Sequence, residues 1–423
     1  MITVIEIILW LTYFVSLYFT IFWFIVFIEQ DEDIESKKSK RLKSFPFVSI
    51  VVPAYNEEDN ILDTINSVLN LDYPKDKLEV LVINDGSTDS TKAKVKEFIK
   101  ENKIVKKNKN VILINQKNQG KATALNIGLK RSRGEIFICL DADSIVMPDA
   151  LKRLLHYFDD PDVALALPLM KAKRPKNLLQ RLQFREYLLN IFLKKLMGYL
   201  DCIHVAPGPF SVYRKSVLEK LGGFDLGNIT EDLEMALRIQ KHNYKIVQDM
   251  HAEVFTLTPN NLIAYFKQRS RWNKGGIING LKYKNMMFNK QYGDFGLIQS
   301  PILILSGVLA LTILFATLYY LIEPNIQQII NLGLVNFDIF TFITNWKLNF
   351  NLLDLSYPKM TVFFVMVFFT SLTLYLSHKY TREKVSGEGF FSLLVYLFLY
   401  FLLLGFVWLS VIKDFITMKK VNW

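Results

Sequence analysis

The sequence predicts an α/β protein in which a Rossmann-like, mostly parallel sheet carries the chemistry and membrane-crossing helices flank it. Three observations lead there. Short apolar runs alternate with helical patterns between residues 47 and 140, the order that builds parallel sheets. Nearly uncharged stretches stand near both ends, and 51% of the 423 residues are apolar with a mean hydropathy of +0.20, high for a protein without membrane segments. Several of the apolar runs end in polar residues or tight turns, so their ends converge on one sheet edge, where ligands of such sheets collect.

Residues 2–28, uncharged apart from Glu6, are long enough to cross a bilayer with some tilt. A cleaved signal peptide would need a basic start and a small-residue cleavage site. Here the basic cluster Lys37-Lys38-Ser39-Lys40-Arg41-Leu42-Lys43 follows the apolar stretch. Residues 1–30 therefore read as an uncleaved anchor and 31–46 as a basic linker on the cytoplasmic side. The net charge of +11 suits nucleic acid, an anionic membrane surface or acidic substrates. The apolar content favours the last two, so a lipid bilayer is expected as a partner and nucleic acid is not. Cys139 and Cys202 match no metal or redox spacing and read as buried thiols.

Residues 48–53 read as a buried strand stopped by Pro53, and residues 57–69 as a helix with Ile61, Ile65, Val68 and Leu69 on one face. Residues 80–83, 111–114 and 136–140 supply three more strands. The first ends in Pro53-Ala54-Tyr55-Asn56-Glu57 and the second in Asn84-Asp85-Gly86-Ser87-Thr88-Asp89. A carboxylate placed like Asp85 is suited to accept the imide N–H of a uracil ring, although Gly86, Ser87 and Thr88 also read as a plain strand-to-helix cap. Gly120-Lys121 at a helix start suggests a phosphate neighbour, but the full P-loop spacing is missing. The fourth strand closes on Asp141-Ala142-Asp143. Two carboxylates there repel unless a positive group lies between them, and a divalent cation bound to substrate phosphates supplies one. A solvated turn or helix cap is the ordinary alternative.

In chain order, Val52-Pro53-Ala54-Tyr55-Asn56-Glu57, the stretch 84–89, the stretch 120–126 and Asp141-Ala142-Asp143 resemble the nucleotide-sugar-binding half of family 2 glycosyltransferases. An acid-rich acceptor motif should follow, and Thr230-Glu231-Asp232 provides it. Gln268-Arg269-Ser270-Arg271-Trp272 matches the Gln-x-x-Arg-Trp signature of the membrane-bound polymerases that make cellulose, hyaluronan, chitin and poly-N-acetylglucosamine. The resemblance covers residues 47–285. It implies a GT-A catalytic domain over 47–260, an amphipathic interface region over 261–296 and a membrane region over 297–423.

The implied activity is inverting transfer of a sugar from a UDP-sugar, UDP-N-acetylglucosamine or UDP-glucose, to a growing glycan at the cytoplasmic face of the plasma membrane. Carried onto this sequence, the resemblance implies that Pro53, Tyr55, Glu57, Asp85, Lys121 and Asp141 contact the nucleotide sugar. Asp141 and Asp143 would hold Mg2+ or Mn2+. Asp232 would take the proton of the acceptor hydroxyl. Glu231, Gln268, Arg271 and Trp272 would hold the acceptor or the diphosphate. Taken alone, Thr230, Glu231 and Asp232 also read as the start of a helix through Gln240. His251 reads as a strand-edge histidine rather than a metal ligand, and His156, His204, His242 and His378 lack ligand spacing.

Residues 178–200 alternate Leu182, Leu189, Phe192, Leu193 and Leu196 with Arg181, Arg185, Lys194 and Lys195, the composition of a helix lying on a bilayer surface. Residues 297–322, 361–377 and 390–412 each suffice to span, which gives four spans with the anchor. The stretch 324–358 reads as an outside or re-entrant segment or as a fifth span, and the positions of Lys379, Arg382, Lys384, Lys419 and Lys420 do not decide between them. Two rival functions stay open. One is a single addition to a lipid-linked acceptor such as a polyprenyl phosphate. The other, a transporter or scaffold, predicts ionisable residues inside the spans, where they are nearly absent. An accessory membrane subunit is left open.

Overall fold

The computed structural model describes residues 4–35, 42, 44–322, 326, 330, 340 and 357–417. Most of the basic linker cluster, nearly all of 324–356, and Lys419 and Lys420 lie outside the described residues. The chain opens with helix α1 (Val4–Glu35), long enough and apolar enough to cross a membrane.

The four expected strands form as β1 (Val48–Ala54), β2 (Leu78–Asp85), β3 (Val111–Gln116) and β4 (Ile136–Cys139). Between them run α2 (Ile61–Leu69), α3 (Thr91–Glu101), α4 (Lys103–Asn108) and α5 (Lys121–Arg131). The strands pair in parallel in the order β3-β2-β1-β4. Strand alternation sends Val48, Ile50 and Val52 to one face, against Ile61, Ile65 and Val68 of α2. Val51, Leu81 and Ile83 go to the other face, against Leu125 and Leu129 of α5. All are buried, which explains why these strands read as continuous apolar runs.

The second half departs from the expected parallel order. After β5 (Ile145–Val146) and α6 (Ala150–Leu155) come β6 (Val163–Ala172), α7 (Leu178–Tyr199), β7 (Ser211–Arg214), α8 (Lys215–Lys220), α9 (Glu231–Lys241) and β8 (Lys245–Thr256). The sheet continues β4-β7-β6-β8-β5, with β7 antiparallel to both neighbours, β6 parallel to β8, and β5 antiparallel to β8. The sheet is therefore mixed. Its parallel half carries the first four motifs, and β8 brings a late strand back beside β5, close to the end of β4.

Much of helix α7 is buried within the protein. Arg185 is fully buried and donates to the carbonyls of Val385 and Gly389 at 3.0 and 3.1 Å and to Ser392 Oγ at 3.0 Å. Phe192 stacks on Tyr380 with ring centroids 5.8 Å apart, and Phe27 of α1 meets both rings. Of the four basic residues expected to face lipid headgroups, Arg185 and, at 3.8 Å from Glu388, Arg181 are instead matched by a protein loop. That loop, 382–389, is also tied to the sheet, because the buried Lys171 pairs with Glu253 at 2.9 Å and Glu383 at 2.7 Å.

Helix α10 (Leu262–Lys282) leads into α11 (Ser300–Ile322). Among the described residues three helical stretches are long and apolar enough to cross a membrane: Glu6–Gln30, Phe295–Tyr319 and Met360–Thr381. The expected last span is two helices, Phe390–Phe398 and Tyr400–Ile416, bent by 49° at Leu399. Its two ends stay against the domain. Ser392 meets Arg185, Tyr400 meets Tyr265 through their hydroxyls at 3.0 Å, and Asp414 pairs with Lys274. The bent pair packs tightly on α11, since a Cβ at Gly405 would lie 2.8 Å from Leu314 Cβ. Gly405→Val should therefore cost about 2 kcal/mol through overpacking. Thermal unfolding in detergent checks this, with Gly276→Ala, where a Cβ meets nothing within 4 Å, expected to leave the midpoint unchanged or slightly raised.

Candidate active site

The loops after β1 and β2 are knitted into one surface. Asn56 adopts a positive φ of 55° and accepts from the Thr88 backbone at 2.8 Å, while the Glu57 backbone N–H donates to Thr91 Oγ1 at 2.8 Å. Pro53 does not stop β1, which pairs with β2 through Pro53 and Ala54; Tyr55 is exposed, and Glu57 is half-buried. Asp85 is used within the chain more fully than its position suggested. Its oxygens accept from Gln116 Nε2 at 2.6 Å and from the backbone N–H groups of Gln119 and Gly120 at 2.9 Å each. A carboxylate has about four acceptor positions, so one remains for a ligand. Asp85 thereby fixes the turn from which Lys121 starts α5.

Lys121 is the centre of the site. Its Nζ lies 2.7 Å from Asp141 Oδ1 and 3.3 Å from Glu231 Oε1, joining the end of β4 to the start of α9. Burial works against its charge, but Asp141 and Glu231 hold it protonated well above the ordinary lysine range. Gly208 makes room for this pair, because a Cβ there would fall 2.5 Å from the Asp141 carboxylate and 2.6 Å from Lys121 Nζ. The turn-rich stretch around Gly208 thus touches the site by lacking a side chain.

Asp143 accepts from Ser144 Oγ at 3.0 Å and from Thr256 Oγ1, at the end of β8, at 3.4 Å. Burial, with the charges of Asp141 and Glu57 beside it, pushes its carboxyl up to about 6. Burial raises Glu57 as well, with Asp141 adding to the effect. Among the described residues no three His, Cys, Asp or Glu side chains converge as a closed metal cage. The donor set is nevertheless one that fits a hard cation: crowded carboxylate oxygens, disfavoured in their charged form until a positive partner arrives, with the remaining positions left to phosphate oxygens.

Asp232 stands one residue into α9, half-buried, with Oδ1 accepting from the Leu233 N–H at 2.8 Å. Burial and the neighbouring Glu231 push its carboxyl up to about 6, against the pull of Lys121 and Arg271. Glu231 itself is buried, and its Oε2 has no hydrogen-bond partner. On α10, Gln268 Oε1 is likewise buried without a partner. Arg271 Nη1 reaches the Ile229 carbonyl at 3.5 Å, just ahead of the acidic motif. Trp272 is not a free platform. The guanidinium of Arg269 covers its ring at 4.2 Å from the centroid while pairing with Glu186 at 2.6 Å.

The structure thus gathers Glu57, Lys121, Asp141, Asp143, Glu231 and Asp232 into one electrostatic cluster, with Asp85 behind it and the α10 motif alongside. Sequence reasoning missed Thr256, Glu186, Asn228 and Asn279, which carry no motif and come near the site only through folding, while Gly208 stands in a turn-rich stretch, 206–214, whose position resembles an acceptor-side loop but whose residue types are too general to name a contact. Arg269 stood inside a recognised motif and was passed over. His251 meets Arg382 at 3.2 Å rather than any carboxylate cluster. An apolar cavity of about 220 Å³ between α1, α7 and Thr370 to Leu374 contains none of the site residues.

A mixed sheet with acidic loops at its edge and apolar helices around it defines a membrane-associated glycosyltransferase of GT-A-like fold. The Glycosyl transferase family 2 model matches residues 49–222, and the Glycosyl transferase family group 2 model matches residues 136–411, more than half of the chain. The chain belongs to glycosyl transferase family group 2. It is similar to the poly-beta-1,6-N-acetyl-D-glucosamine synthase of Staphylococcus epidermidis, with 32% identity over 232 residues, 54% of each chain. The same enzyme of Staphylococcus aureus (strain MSSA476) is 33% identical over 231 residues, again 54% of each. The chain therefore spans about half the length of the curated relatives it matches. Among solved structures, the mannosyltransferase PcManGT from Pyrobaculum calidifontis, in complex with GDP-Man and Mn2+, superposes with a TM-score of 0.56 over 97% of this chain and 99% of that one. Identity is 18%, so that likeness is one of fold.

Lys121→Met would leave Asp141 facing the buried Glu231 with no cation between them. The expected loss is about 2 kcal/mol at neutral pH, reduced from a fully buried pair because Lys121 and Asp141 are partly exposed. The raised lysine contributes while it is protonated beside charged carboxylates, so in the wild type this stability is present from neutral pH up to its unfolded pKa and is lost as pH rises through the higher folded value. Thermal unfolding of wild type and variant across pH checks both statements.

Proposed function

We propose that the chain is an inverting, metal-dependent glycosyltransferase that extends a glycan with N-acetylglucosamine or glucose from a UDP-sugar at the cytoplasmic membrane face. The observation that carries this reading is the meeting of two distant acidic motifs through Lys121, with two buried acceptors, Glu231 Oε2 and Gln268 Oε1, left unpartnered. Buried acceptors without donors are costly, and a sugar brings hydroxyl donors that satisfy them. The likeness to poly-N-acetylglucosamine synthases supports the choice of sugar.

In this reading Pro53, Tyr55, Glu57 and the remaining acceptor position of Asp85 meet the nucleoside, and Lys121 lies toward the diphosphate. Asp141 and Asp143 would hold a magnesium or manganese ion. Such an ion neutralises charge that builds on a diphosphate leaving group. Asp232 accepts the proton from the acceptor hydroxyl as that oxygen forms the new glycosidic bond on the opposite face of the sugar. A carboxyl raised to about 6 remains ionised at neutral pH and is a stronger base than an ordinary aspartate. Arg271 would help hold the diphosphate, while Gln268 and the face of Trp272 turned away from Arg269 would border the acceptor.

The orientation rests on charge. The loop 382–389, which carries Arg382 and Lys384, follows Lys379 and is docked on the sheet through Lys171, lies on the same side as the domain. Loops rich in lysine and arginine stay cytoplasmic, which supports a cytoplasmic domain in a multi-pass plasma-membrane protein.

Nucleotide release by the detergent-solubilised protein, across UDP- and GDP-sugars with manganese, magnesium or chelator and followed by sizing of the product, tests the whole reading. Metal-dependent UDP release with a long product is expected. A short, lipid-extractable product would replace polymerisation by single addition, and metal-independent turnover would remove Asp141 and Asp143 as ligands. For the free enzyme, kcat/KM should rise with pH through about 6 and level off above it. Asp232→Asn should abolish transfer with donor binding retained. It should also stabilise the protein by roughly 2 kcal/mol at neutral pH, because a carboxyl with a raised folded pKa costs stability once pH exceeds that value and none below its unfolded value. Turnover by this variant would sink Asp232 as the base.

A further inference from the structure

The turn that begins α9 is held by a buried polar cluster in which two asparagines outside every motif grip Thr230, the first residue of the acidic motif. Asn279, in the last turn of α10, is fully buried. Its Nδ2 donates to Thr230 Oγ1 at 3.0 Å and to Asn228 Oδ1 at 3.1 Å, and its Oδ1 accepts from Asn228 Nδ2 at 2.6 Å. Asn228 Oδ1 also accepts from the Thr230 backbone N–H at 3.0 Å. Every polar atom of the Asn279 side chain is thereby used.

Two further features mark this as more than packing. Thr230 occupies the N-cap position of α9, where a threonine hydroxyl ordinarily accepts from a free N–H of the first turn, yet it makes no such bond. Its hydroxyl is spent on Asn228 and Asn279 instead. Gly275, one turn before Asn279 on the same helix, allows the approach, since a Cβ there would lie 2.1 Å from Thr230 Oγ1. α10 itself is anchored to the bent terminal pair through Lys274–Asp414 and Tyr265–Tyr400.

We propose that Asn279 is a positioning residue for the transfer reaction: through Thr230 it fixes the turn that aims the Asp232 carboxylate. The inference rests on Asp232 being the base. Asp232 follows Thr230 by two residues, so the aim of the base is set from α10, which also carries Gln268, Arg271 and Trp272, rather than from the sheet that carries the donor loops. Acceptor-side groups and base then move as one unit. Matched buried hydrogen bonds admit one geometry where an apolar contact admits several. A displacement of about 1 Å at a reacting group is enough to cost on the order of a hundredfold in rate.

The test uses the full chain in detergent, with the donor that supports wild-type turnover. The variants are Asn279→Ala, Thr230→Val, Thr230→Ser, the Asn279→Ala/Thr230→Val double and Asp232→Asn. Asn279→Ala and Thr230→Val should each lower kcat about tenfold or more with donor KM nearly unchanged. The double variant should be no worse than the poorer single one, because both cut the same link. Thr230→Ser, which keeps the hydroxyl, should recover most of what Thr230→Val loses. Titration of the nucleotide sugar reports whether each variant retains a folded donor site. Wild-type kcat in Asn279→Ala, losses that multiply in the double variant, or a loss confined to KM would overturn the proposal. Should Asn279→Ala fail to fold, the near-isosteric Thr230→Val and its serine counterpart decide it alone. Turnover by Asp232→Asn would overturn the base, and the inference with it, whereas an inactive Asp232→Asn beside an active Asn279→Ala would overturn the positioning role only.

Discussion

Crowding of carboxylates at one edge of the sheet is the constraint on which the rest depends. Glu57, Asp141, Asp143, Glu231 and Asp232 meet there, and Lys121 makes the ion pairs to Asp141 and Glu231 at their centre. Burying several like charges in a low-dielectric site is unfavourable, so the group must raise pKa values, recruit a cation, or both. Asp143 and Asp232 are raised, and the oxygens around Asp143 suit a hard cation. In the proposed function the same strain that costs stability would supply a poised base and an edge suited to a cation, as expected where function is set against stability.

Scaffolding around this edge explains how the strain is tolerated. Asp85 gives three of its acceptor positions to the chain itself, which fixes the turn that launches Lys121. Gly208 leaves the space in which Lys121 and Asp141 meet. On the other side, α7 and α10 are locked to the apolar helices through Arg185, Glu186 and Lys274, and Lys171 holds the loop 382–389 to the sheet. The catalytic half and the apolar helices are thus joined by buried, directional contacts as well as by apolar packing. Such contacts restrict relative motion more than greasy surfaces do.

Much of this was legible in advance, and the reason is local. Buried parallel strands must be apolar on both faces, so residues 48–53, 80–83 and 136–140 announced themselves as runs. The face of α2 was readable from the spacing of Ile61, Ile65 and Val68. The environment of Arg185 was not legible, because that residue looks the same in sequence whether its guanidinium meets lipid headgroups or the carbonyls of Val385 and Gly389. The bend at Leu399 inside the last expected span was not legible, since hydropathy measures what a segment avoids and not the direction it takes.

By itself the sequence determined the chemistry available: which side chains end the strands, which segments need an apolar surrounding, and in what order the motifs arrive. These follow from periodicity and residue type, which act over a few neighbours. Only the tertiary structure decided which charges share one environment. Lys121 joining Asp141 to Glu231, Arg269 pairing with Glu186, and Asn279 reaching Thr230 are contacts between residues far apart in the chain and on different elements. Electrostatic and hydrogen-bond energies depend on distance and burial in space, and the linear order of residues carries neither.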